Sequence, residues 1–164
     1  MLRAAPLLAI ALACAPAAAA FAQDRAPHAA GVAAEAPAVG TGDAWIDVRL
    51  ADMDRYAARY REAFIDEIVR YLEAPRPVVE RALSESGMRP GDVYYGCALA
   101  RASGRPCRAL LDAWRQDASG GWEGVAATLG LEPDARRHRR IRDDIGASYR
   151  RWSRPIDGSG AAGS

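Results

Sequence analysis

Residues 90–116 read PGDVYYGCALARASGRPCRALLDAWRQ. Proline suits the first turn of a helix, where its missing N–H would find no partner, and glycine suits the exit, where the backbone turns left-handed. With Pro90 at the entry and Gly104 at the exit, the spacing predicts one helix from Gly91 or Asp92 to Ser103. A second starts at Pro106, carries Leu110, Leu111 and Trp114 inward, and stops before Ser119, Gly120 and Gly121. Together they form a helical hairpin. Cys97 lies seven residues before Gly104 and Cys107 in the first turn of the second helix. The hairpin can therefore bring their Cα atoms to the roughly 5 to 6 Å that a disulfide requires. Closing a loop of about ten residues contributes on the order of 2 to 3 kcal/mol. A redox-active pair is expected at the closer CxxC spacing, so Cys97 and Cys107 read as a structural staple. Tyr94, Tyr95, Trp114 and Trp122 surround the same hairpin and read as core.

Working outward, the apolar period stays helical. Ile46, Leu50, Met53, Ala57, Tyr60, Phe64, Ile68 and Tyr71 step by threes and fours, which predicts one amphipathic helix over 47–72, ended by Pro75 and Pro77. At about 1.5 Å per residue it would be roughly 39 Å long. So long a stripe needs a partner, either the shorter helices that follow or a second copy of the chain in a homo-oligomer. A helix over 77–86 follows, with Pro77 at its first position, Gly87 past its end, and Leu83 meeting Met88 across the turn. Beyond the hairpin, residues 120–131 (GGWEGVAATLGL) read as a fifth helix. The sixth runs from Pro133 towards Trp152 with Ile141, Ile145, Tyr149 and Trp152 on one face. No run alternates at period two. The expected fold class is all-α: a long N-terminal amphipathic helix and about five shorter ones joined by short Gly/Pro turns.

The flanks carry different information. Residues 1–22, MLRAAPLLAIALACAPAAAAFA, place Arg3 before a short apolar run that ends in Ala20-Phe21-Ala22, the layout of a secretory signal with an AxA cleavage site. Pro6 and Pro16 interrupt that run, which falls short of the ~20 residues of a membrane span. No transmembrane segment is expected in the mature chain. Residues 23–42 read as a flexible Ala/Pro/Gly leader and 156–164 as a disordered tail, since neither can bury enough apolar surface to offset the entropy of ordering. A single helical domain over 43–155 remains. Export makes the chain periplasmic or secreted, where thiols oxidise. A lesser alternative anchors it by lipidation of Cys14, although Ala11 stands where lipoprotein signals usually carry Leu. All 22 basic residues are Arg, and removal of the signal leaves 21 bases and 21 acids.

The segment GDVYYGCALARASGRPCRALLDAWRQDASGGWEGVAATLGLEP (residues 91–133) resembles a group of uncharacterised small exported all-helical proteins of Gram-negative bacteria. The resemblance rests on GDVYY, the two cysteines, and GW followed by an Ala/Leu/Gly helix end. It implies a helical exported protein and brings no established activity or site residue.

Residues 122–142 also resemble a helix-turn-helix DNA reader in their first half, through Val125, Ala126, Leu129, Gly130 and Leu131. The second half departs from it. The positions five and eight residues after Leu131 should be buried, yet they are Arg136 and Arg139. Burying an unpaired guanidinium costs several kcal/mol. Over 133–154 eight arginines face three aspartates, and Arg136, Arg137, Arg139, Arg140 and Arg142 form a candidate patch for an anionic partner, whether nucleic acid or lipid A. The plainer reading, which we favour, is a solvated face paired with residues 43–73, where eight acids stand against five arginines.

Catalytic signals are sparse. His28 falls in the leader, leaving His138 alone among a pair of cysteines read as oxidised, so no metal site and no cofactor are expected. Ser84, Ser86 and Ser103 lie in no nucleophile elbow, and a chain without Lys has neither a P-loop nor a Schiff base. Asp66 with Glu67, and Asp143 with Asp144, are sequence neighbours that point apart on a helix, unlike a glycosidase pair set across a cleft.

The expectation is an exported, non-catalytic binding or assembly module whose partner is a protein or an envelope component. A DNA binder and an envelope hydrolase are the alternatives. N-terminal sequencing of the protein from a periplasmic extract should begin at Gln23, whereas an intact Met1 in the cytosol would restore the DNA reading.

Overall fold

The computed structural model describes residues 40–85, 88–131 and 134–156. Among the described residues there are seven helices and no strand: α1 Ala44–Arg59, α2 Arg61–Tyr71, α3 Arg76–Glu85, α4 Pro90–Ser103, α5 Cys107–Gln116, α6 Gly121–Thr128 and α7 Ala135–Arg151. The class is all-α. The signal, Cys14, His28, the joint at Ser86 and Gly87, Pro133 and the tail beyond Ile156 lie outside the described residues.

The centre of the fold is α4, and every residue over 91–100 is buried. A helix that is apolar or small on all sides has to be covered on all sides. Val93, Tyr94, Tyr95, Cys97, Ala98 and Leu99 supply that surface, and α1, α3, α5 and α7 cover it. Gly91 sets how closely α1 approaches: a Cβ there would lie 2.6 Å from the Leu50 carbonyl oxygen and 2.9 Å from Leu50 Cβ. At the other end Gly104 takes φ 68°, and the Arg105 N–H donates to the Ala100 carbonyl at 2.8 Å, which closes the helix. Pro106 then caps α5. The sulfurs of Cys97 and Cys107 stand at disulfide distance, with their Cα atoms 4.4 Å apart.

The stretch expected as one helix over 47–72 forms two, α1 and α2. Tyr60, at φ −127° and ψ 53°, ends α1 and starts α2. A straight helix of roughly 39 Å would outrun α4, whose 14 residues span about 21 Å. The bend turns α2 back so that Phe64, Ile65 and Ile68 are buried and α2 packs on α3. Tyr60 and Tyr71, expected on the buried stripe, are 51 % and 43 % exposed, while Ile65 and Leu72 are buried. The stripe of Ile46, Leu50, Met53 and Ala57 is covered within the chain, chiefly by α4, and needs no second copy to bury it.

Both domain edges extend further than composition indicated. Thr41, placed in the leader, is 2 % exposed, and its N–H and hydroxyl donate to Asp47 Oδ1 at 3.0 and 2.8 Å. Ile156, placed in the tail, packs on the core and accepts a hydrogen bond from Arg49. Arg76 precedes Pro77 as the first residue of α3. Among the described residues no helix is long and apolar enough to cross a membrane.

Two glycines should respond oppositely to a methyl group. Gly91→Ala meets backbone and should lower stability by about 1 to 3 kcal/mol. Gly124→Ala, inside α6 with nothing within 4 Å of the added Cβ, should raise it by about 0.5 to 1 kcal/mol. Urea unfolding midpoints at unchanged slope read both.

Candidate functional site

The site is built on α7, whose arginines fall into two groups. In one group, Arg142 and Arg151, joined by Arg154 just past the helix end, pair with the carboxylates of Asp43 at the N-cap of α1, Glu67 of α2 and Asp52 of α1. Glu67 of α2 is 4 % exposed and accepts from Arg151 Nε, which bridges its two oxygens at 2.9 and 3.0 Å, and from Arg151 Nη2. Ser148 donates to Glu67 Oε1 at 2.6 Å and accepts from the Tyr94 hydroxyl at 2.8 Å, so the network ties α2, α4 and α7 together. The Arg151 guanidinium also lies 3.6 Å from the Tyr71 ring centroid. Asp52 of α1 accepts from the Tyr149 hydroxyl at 2.6 Å and from Arg154 at 2.9 Å. Asp43 caps α1 by accepting from the N–H groups of Trp45 and Ile46, and it takes a two-pronged bond from Arg142 Nε and Nη2, both at 2.8 Å. Trp45 lies between the Arg49 and Arg142 guanidiniums, 4.8 and 5.5 Å from its ring.

These contacts shift where the carboxyls titrate. Burial would raise the Asp43 carboxyl, but the Arg142 bonds and the two capping N–H groups hold it below the ordinary range. Burial of Asp52 is likewise outweighed by Tyr149 and Arg154. Asp92 and Asp144 go the other way. Burial lifts Asp92 despite the Trp122 indole N–H at 3.1 Å and Arg89 at 3.2 Å, and it lifts Asp144 despite Arg101 at 2.7 Å.

In the N-terminal group Arg136, Arg139 and Arg140 are exposed, while Arg137 is half-buried at the edge of α6. Asp134 caps α7 by accepting from the Arg136 N–H at 2.8 Å. The first two turns then carry Arg136, Arg137, Arg139 and Arg140 and no acid. With Asp143 and Ala102 they line an open cleft of about 500 Å³. Among the described residues Arg136 and Arg139 reach no carboxylate, and Arg140 acts on Asp144. Arg142, placed with this patch from sequence, pairs with Asp43 and remains half exposed beside Arg139. Ile141 is the first fully buried residue of α7.

The main neighbour of α6 is α5 and that of α7 is α4. A cavity of about 110 Å³ separates α6 from α7, floored by Tyr95, Leu99 and Trp122 and rimmed by Glu123, Arg137 and His138. Ser84 and Ser103 donate to carbonyls of their own helices, and Ser86 lies outside the described residues. Asp66 is taken by Arg76 and Glu67 by Arg151. Among the described residues no group of three or more His, Cys, Asp or Glu is placed to hold a metal ion. Compared with family models, curated proteins and solved structures, the chain matches none.

Acid should act through the depressed carboxyls. An unfolded Asp titrates near pH ~3.9, so Asp43 and Asp52 stabilise fully above that value and lose their contribution as pH falls through their lower folded values. Asp92 and Asp144 act oppositely, and what they contribute declines as pH rises through their raised values. Asn caps helices about as well as Asp, so Asp43→Asn isolates the Arg142 pair. It should cost about 1 kcal/mol at neutral pH and flatten the loss of stability below pH ~4 in urea titrations at stepped pH.

Proposed function

We propose that this chain is an exported binding module without catalytic machinery, and that the first two turns of α7 are its recognition surface for a phosphate-bearing lipid surface of the cell envelope. The observation that carries the reading is the placement of four arginines at the wrong end of a helix dipole. A helix N-terminus is partially positive, and a cation there costs stability rather than adding it. Arg142 and Arg151 of α7, and Arg154 just past its end, have carboxylate partners that justify them structurally, whereas Arg136 and Arg139 have none among the described residues. Cations held together at a positive helix end suit an anion that supplies the missing charge. The signal-like N-terminus and a cysteine pair at disulfide distance support the envelope as the place of action.

Duplex DNA is the weaker partner for this face. A recognition helix needs its companion packed against it, and here α6 and α7 each pack on a different helix.

Co-sedimentation with vesicles tests the reading. The intact protein should bind phosphatidylglycerol vesicles and not phosphatidylcholine vesicles, with affinity falling steeply between 50 and 200 mM salt, roughly as counterion release requires. At about 1 kcal/mol for each cation near an anionic surface, Arg136→Ala/Arg139→Ala/Arg140→Ala should weaken binding about 100-fold, while the unfolding midpoint rises, because cations that oppose the helix dipole are removed. Equal binding by this variant, or tighter retention on duplex DNA than on vesicles, would overturn it.

A further inference from the structure

The bend at Tyr60 opens a second site at the far end of α7 from the arginine turns. Where α1 gives way to α2, a solvent-open cleft of about 1080 Å³ forms against the residues that follow α7. Its wall is aromatic. Tyr56 stacks on Trp152 with centroids 4.2 Å apart and an interplanar angle of 24°, and Tyr60 leans on Tyr56 at 5.1 Å. Its rim is cationic. The Asp52 carboxylate is already met by Tyr149, Arg154 and Arg55, and Arg59 is exposed with no carboxylate partner among the described residues.

An aromatic side chain half in water, at the one interruption of an otherwise continuous amphipathic stretch, is not spent on the core. The shape of the cleft limits what it can hold. A small-molecule site encloses most of its ligand, about 70 to 90 %, and this cleft is open along its length, so it suits a chain lying across it. Charge density narrows the choice further. Aromatic faces flanked by arginine are also how single-stranded nucleic acid is held, but of the three arginines lining the cleft Arg55 and Arg154 already pair with Asp52, which leaves too little positive charge for a strand with one phosphate per residue. A glycan with a carboxylate on only some of its rings meets both conditions. The C–H faces of pyranose rings pack on aromatic faces, and a planar guanidinium forks onto a carboxylate.

We propose that this cleft binds an acidic glycan strand, with pyranose faces on Tyr60 and on the Tyr56–Trp152 stack and a sugar carboxylate on Arg59, assisted by Arg55. The site is independent of the lipid-binding reading of α7.

Calorimetric titration of the intact protein tests it with two tetrasaccharides. One alternates N-acetylglucosamine with N-acetylmuramic acid. The other, chitotetraose, has the same rings without the carboxylates. The acidic sugar should bind about tenfold more tightly. Tyr60→Ala should weaken both sugars about tenfold. Arg59→Gln with Arg55→Gln should erase the difference while chitotetraose binding stays, and these exposed positions should leave the unfolding midpoint unchanged. Arg136→Ala/Arg139→Ala/Arg140→Ala should bind the acidic sugar like the parent protein, which separates this site from the one on the first turns of α7. Absence of saturable sugar binding, equal affinity for the two sugars, indifference to Tyr60→Ala, loss in the α7 triple variant, or tighter binding of an oligothymidylate would each overturn the proposal.

Discussion

A carboxylate withdrawn from water has to be met by a cation and by hydrogen-bond donors, and Glu67 imposes that condition at the centre of this protein. Its oxygens are satisfied by Arg151 and Ser148, and Ser148 in turn by Tyr94, so one buried acid fixes the relative positions of α2, α4 and α7. Removing one partner from such a pair typically costs about 3 to 5 kcal/mol, since it leaves a buried charge uncompensated. Asp43 and Asp52 repeat the arrangement along α1 with Arg142 and Arg154. The last helix is therefore held by charge along one face while Ile141, Ile145 and Tyr149 bury its apolar stripe.

The division of α7 follows from this. Arg142, Arg151 and Arg154 are partly exposed but paired with carboxylates of other elements, which makes them part of the scaffold. Those of the first two turns stand where the helix dipole opposes them. Arg142 shows that sequence proximity is a poor guide here: it is two residues from Arg140, yet it turns onto Asp43, ninety-nine positions earlier. At about 100° per residue, two positions move a side chain more than halfway round the helix.

The other organising constraint is the crowding around α4. Small residues at Gly91 and Gly96 let α1 and the α5–α6 layer come close, and the Trp114–Trp122 stack at 4.4 Å fills the space beside Gly96. Trp122 spends its indole N–H on Asp92 in the first turn of α4, a position where a negative charge also suits the helix dipole. The bend at Tyr60 is the counterpart of that compact centre. A short central helix has no surface for a long one to follow, and the turn that shortens α1 leaves aromatic side chains at the surface.

The helical class, the ends of α4 at Pro90 and Gly104, and the meeting of Cys97 with Cys107 were legible in the amino-acid order, because each depends on residues within a few turns of one another. The inward positions of Ile141, Ile145 and Tyr149 were legible for the same reason. The break at Tyr60 was not, since no Pro or Gly marks it. Nor was the sorting of the arginines. Whether a guanidinium on α7 is scaffold or free surface depends on which carboxylate of α1 or α2 lies opposite it, and that distance exists only once the chain has closed on itself.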